Sequence, residues 1–95
     1  MKNFYYEVIL QIRGNYTDEV LEFIDNRLNK FQGRNLYRAE EVKGGIDYYI
    51  SSKNIAKKIA TILKKQYHAK LVRSYKLRTR IDSRNIYKMT ISVRI

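Results

Sequence analysis

The chain contains no cysteine, so it can form neither disulfides nor thiolate metal sites. Nothing ties it to an oxidising compartment, and the expected location is the cytoplasm. It has one histidine, His68. A lone His without Cys is not a metal site, and its place at the end of a predicted helix suits a favourable interaction with the helix dipole. No apolar run approaches the length of a membrane span, and the Met-Lys-Asn start is not a secretory signal, so no membrane partner is expected. Glycine is scarce, at four residues. Gly44-Gly45 lacks the GK[ST] that a phosphate-binding loop needs, so nucleotide binding is not expected, nor is any other cofactor. Asp47, Asp82, Ser83 and His68 share no spacing that would assemble a nucleophile, a base and an orienting group, which argues against an enzyme. Asp47 is read instead as fixing a hairpin or the helix start that follows it.

Acidic residues are the next scarcity, and their distribution matters more than their number. Residues 1–52 carry seven basic and eight acidic groups, whereas residues 53–95 carry thirteen basic groups and Asp82 alone. The formal net charge of +11 therefore lies almost wholly in the second half. Charge so unbalanced repels itself in the compact state, and a polyanionic partner would neutralise it. The 44% hydrophobic content, with nine Tyr and three Phe, is that of a folded chain, and 95 residues suit a single domain.

Periodicity assigns the elements. From Phe4 to Arg13, Tyr6, Val8, Leu10 and Ile12 alternate with Tyr5, Glu7, Gln11 and Arg13, as in a half-buried strand. Thr17 is a candidate N-cap, with Asp18 and Glu19 in the first turn. Val20, Phe23, Ile24, Leu28 and Phe31 then recur at helical spacing, and the helix is expected to end near Gly33. Short strands follow at Tyr37 to Lys43 and Ile46 to Ser51, joined by Gly44-Gly45, a pair suited to the positive φ angles of a tight turn. Ser51 or Ser52 caps a second helix with Ile55, Ile59, Ile62 and Leu63 as its apolar stripe. Lys53, Lys57 and Lys64 sit opposite, flanked by Lys58 and Lys65. The last quarter reads as a long hairpin, with Leu71, Tyr75 and Leu77 facing Tyr87, Met89, Ile91, Val93 and Ile95. Its other face would carry Lys70, Ser74, Lys76, Arg78 and Arg80 beside Lys88, Thr90, Ser92 and Arg94, with Arg84 in the connecting IDSRN loop.

The expected fold is α+β: one antiparallel or mixed sheet with both helices on one face, in the order strand-helix-strand-strand-helix-strand-strand. The open face would gather Tyr5, Gln11, Arg13, Tyr49, Lys76, Arg78, Lys88 and Arg94. Such a surface offers rings for base stacking and cations for phosphates.

The stretch GGIDYYISSKNIAKKIATIL, Gly44 to Leu63, resembles a segment of the large-ribosomal-subunit export adaptors known as the nonsense-mediated decay protein three family. The carrying residues are Gly45, Ile46, Asp47, Tyr48, Tyr49, Ile50, Ser51, Ser52 and Lys53. The opening YYEVILQIRG and the closing SYKLRTRIDSRNIYKMTISVRI are also similar, so the resemblance covers nearly the whole chain. It implies a middle domain of a protein lying across the subunit-joining face of the nascent large subunit. The family's Cys-rich zinc-binding motifs are absent, so either an excised segment of a longer protein or a reduced homologue is expected, the first being preferred. Abundant Lys and Ile without proline fits an archaeal source.

Two functions follow as expectations. In the first, the domain is a non-catalytic, monomeric module that binds ribosomal RNA in the large subunit. Its second helix and C-terminal hairpin would contact phosphates through Lys53, Lys57, Lys64, Arg73, Lys76, Arg78, Arg80, Arg84, Lys88 and Arg94. In the second, the acidic first helix or a sheet edge docks another domain of the adaptor or a ribosomal protein.

Overall fold

The computed structural model describes residues 6–30, 37–81 and 84–95, and for 76–81 and 84–87 the backbone alone. The elements run β1 (Val8–Arg13), α1 (Asp18–Lys30), β2 (Tyr37–Val42), β3 (Gly45–Ile50), α2 (Lys53–Tyr67), β4 (Lys70–Ile81) and β5 (Arg84–Arg94). One mixed sheet in the order β2-β3-β1-β5-β4 carries both helices on one face, as the sequence predicts. β1 pairs antiparallel with β3 and parallel with β5, and β4 closes the far side antiparallel to β5. Each helix thus crosses between parallel strands that are not neighbours. α1 spans β3, and α2 spans both β1 and β5.

Register aligns the apolar positions of three central strands. Val8, Leu10 and Ile12 stand beside Ile50, Tyr48 and Ile46 on one side, and beside Met89, Ile91 and Val93 on the other. Val20, Ile24 and Leu28 of α1 and Ala56, Ile59, Ala60 and Leu63 of α2 close over them. The buried stripe of α2 is therefore rotated from the predicted one. Two alanines let the helix settle close to the sheet, and Ile55 and Ile62 are left half-buried at its margin.

The amino-terminal strand also departs from its expected alternation. Regular pairing starts at Val8, and Glu7 lies in a bend, with its N–H donating to the Ile50 carbonyl and its carbonyl accepting from Met89 N–H. Glu7 Oε1 accepts from Lys53 N–H at 3.1 Å, so its carboxylate caps α2 rather than sharing a face with Gln11 and Arg13. Beyond the bend, the Tyr6 ring meets Tyr49 on the uncovered sheet face instead of joining Val8 in the core. Ser52 is the N-cap residue, accepting from Ile55 N–H at 3.4 Å. His68 closes α2 in the left-handed conformation, at φ 55°. The expected end of the first helix at Phe31 and Gly33 lies outside the described residues, as do Phe4 and Tyr5.

Candidate nucleic-acid interface

β4 is twelve residues long, but β1 reaches only as far as Met89 along β5. The backbone of 76–81 and 84–88 therefore runs on past the level where the other strands stop, over about 20 Å at the usual rise per residue. In this ribbon Lys76 pairs with Lys88, and Ile81 pairs with Arg84. Arg84 is thus the first residue of β5 and not part of a loop; Asp82 and Ser83 lie outside the described residues. The register shifts between Leu77 and Thr79, at Arg78, so Arg80 pairs with Asn85 out of step with Lys76 and Lys88. A bulge of this kind breaks the strict pairing register within the ribbon.

Within the sheet, Lys70 pairs with Arg94, and both are exposed on the uncovered face. Like charges directly opposite each other repel, so this corner would be relieved by an anion. Arg73 is opposite Ile91 and Tyr75 opposite Met89, which places them on the helix side. The helix layer does not reach that far, since Tyr75 is 59% exposed and Arg73 is exposed as well. On α2, Lys58, Lys64 and Lys65 are exposed, and Lys53 and Lys57 are half-buried. The predicted cations therefore do not form one face. Lys53, Lys57, Lys64 and Arg73 lie on the helix side, whereas Lys88 and Arg94 lie on the uncovered side.

Several open-face residues that the sequence offers to a ligand are held by neighbours. The Lys88 ammonium donates to the Tyr6 carbonyl and lies 4.3 Å from the centre of the Tyr6 ring. Tyr6 meets Tyr49 edge-on at 5.1 Å, and Arg38 lies 5.1 Å from the Tyr49 ring centre. Two packed rings with a cation at each end thus run from β2 across to β5, an arrangement that stabilises the sheet surface. Tyr49 also donates to Glu40 Oε1 at 3.4 Å, and its pKa is raised by burial, then by the nearby Glu40 carboxylate. Arg13 is engaged in the same way, donating to the Ile12 carbonyl at 3.0 Å and the Ile46 carbonyl at 3.4 Å. Its Nη2 lies 2.8 Å from buried Asp47 Oδ1, a charge contact without an aligned hydrogen bond. Asp47 thus ties β3 to β1, while the start of α2 is fixed by Glu7.

Lys70, which alternation already placed on the basic face of the hairpin, has a place in this surface that the predicted binding set omits; that it stands directly opposite Arg94 is a matter of pairing. Among the described residues, no group of three or more His, Asp or Glu could hold a metal ion.

No curated protein matches the chain. The family model described as NMD3, second domain, matches residues 5–95, which takes in every element of the sheet and both helices. The chain therefore belongs to the NMD3 family of ribosomal-subunit export adaptors, whose second domain it represents.

Proposed function

We propose that the domain is a non-catalytic ribosome-binding module that grips large-subunit ribosomal RNA by its phosphates. The gripping surface is the outer edge of β4 with the β4–β5 ribbon, together with Lys53 and Lys64 of α2. The observation that carries this reading is the extension of β4 and β5 past the rest of the sheet. That ribbon bears Lys76, Arg78, Arg80 and Arg84 in sequence; Arg73 stands exposed near its base, and Lys70 and Arg94 are exposed at the opposite end of the same two strands. A projecting cationic ribbon can follow a groove or junction of folded RNA, with geometry rather than base reading setting the site. Tyr49 and Tyr6 are committed to each other and to neighbouring cations, which favours backbone contact over stacking on the open face. On this reading the domain acts as a monomer in the cytoplasm of an archaeal cell, without a cofactor.

The test is the affinity for large-subunit RNA fragments across a salt series, with Lys70, Arg73 and Arg94 changed together to Ala. Binding is expected to weaken steeply with salt. The variant should show a slope shallower by roughly 0.7–0.9 for each phosphate that it no longer neutralises. An unchanged slope would remove the β4 edge from the interface.

A further inference from the structure

Between α1 and α2 lies an open groove of about 360 Å³ that the RNA reading does not use. Its floor is Ile55, Ile59 and Ile62, and its rim is Arg27, Lys57 and Lys58. Thr61 also lines it, with its hydroxyl donating to the Lys57 carbonyl at 2.9 Å, so its own polar group is satisfied along the helix. The Arg27 guanidinium lies 5.4 Å from the centre of the Phe23 ring, which holds this cation at the α1 side of the groove. Among the described residues, none that lines the space is acidic.

An apolar concavity ringed by cations is a poor seat for phosphates, which would lose water against isoleucines without gaining donors at the floor. It suits a large apolar side chain entering the groove while flanking carboxylates meet Arg27, Lys57 and Lys58. The buried stripe of α2 explains why the groove exists. Ala56 and Ala60 take the positions against the sheet, so Ile55 and Ile62 are displaced toward α1 and remain half-exposed.

We propose that this groove binds an acidic segment of another protein, anchored by one or two large apolar side chains flanked by Asp or Glu. The inference stands independently of RNA binding at β4, and it assigns Lys57 to the peptide site. Arg27 becomes a binding residue on a helix whose remaining charge is largely acidic.

The probe is a short blocked peptide of glutamates carrying two leucines one helical turn apart, titrated into the chain with its isoleucine methyls labelled for NMR. Saturable shifts are expected at Ile55, Ile59 and Ile62, with Ile9 on the opposite face unmoved. Replacing the leucines by serine should weaken binding roughly tenfold, as should Arg27→Glu combined with Lys58→Glu, the scale of removing one anchor. Equal binding by the serine peptide would reduce the effect to bulk charge and overturn the proposal. So would shifts confined to other methyls, or an RNA fragment that moves the groove methyls when the peptide does not. The serine peptide is tested on the unaltered chain, so that comparison stands even if the double variant fails to fold.

Discussion

Tyr48 carries its hydroxyl into the core with its ring, and a buried hydroxyl needs a partner. It finds Asp25 on α1, while Tyr37 donates to Asn29 Oδ1 at 3.0 Å one helical turn further on. These contacts fasten α1 to β3 and β2. Burial raises the pKa of Tyr48, and the neighbouring Asp25 carboxylate raises it further. Burial also raises Asp25, partly offset by the hydrogen bond from Tyr48. Tyr48→Phe is expected to lower stability by about 0.5–1.5 kcal/mol in urea unfolding, with an unchanged dependence on denaturant. The pH dependence follows from the raised phenol. Below about pH 10 the hydroxyl is protonated in both folded and unfolded chains, and its stabilisation is fully present. Above that the unfolded chain ionises first, so stability falls as pH rises toward the folded-state pKa. Tyr37 and Tyr49, also raised, act in the same sense. Unfolding followed from about pH 8 to about pH 11.5 should show this decline, and it should be shallower in Tyr48→Phe; identical slopes would mean that Tyr48 is not its source.

At the scale of elements, the β2–β3 hairpin shows how a correct motif can conceal two different causes. Gly44 has φ +83° and open space where a Cβ would stand. Gly45 has no such backbone demand, but a Cβ there would lie 2.2 Å from the Ile12 carbonyl oxygen and 2.6 Å from Arg13 Nη1. The first glycine makes the turn; the second lets β1 and the Arg13 side chain close over β3. Gly44→Ala should cost about 1 kcal/mol, the penalty for a side chain in left-handed backbone. Gly45→Ala must push backbone apart and should cost more, about 2–3 kcal/mol or above. Chemical denaturation of the two variants side by side decides this, and equal losses would refute the close-approach account. α2 offers a similar lesson. Its helical spacing is plain in the sequence, yet the face it buries is set by alanines, because packing against a sheet rewards small residues at the point of nearest approach. Nothing in the isoleucine positions alone distinguishes a core residue from one at the margin of a groove.

For the whole molecule, a net charge of +11 on 95 residues makes self-repulsion a property of the compact state. The like-charged pairs Lys70–Arg94 and Lys76–Lys88 along the last hairpin concentrate it. Screening should relieve it: raising sodium chloride from about 20 to about 200 mM shortens the Debye length from roughly 20 Å to below about 10 Å and should raise the thermal midpoint. A midpoint that falls or stays constant would show that attractive pairs such as Arg13–Asp47 outweigh the repulsion. The sequence by itself determined the type and order of the elements, the apolar faces of the central strands and the placing of the net positive charge in the second half. Those are local signals, written in period two, period 3.6 and simple charge counts. Only the tertiary structure decided that β5 enters between β1 and β4, that Glu7 leaves its strand to cap α2, and that Lys70 stands directly opposite Arg94. Each of these depends on which distant segment supplies the neighbouring backbone. A pattern read along a single strand does not contain its partner or its register.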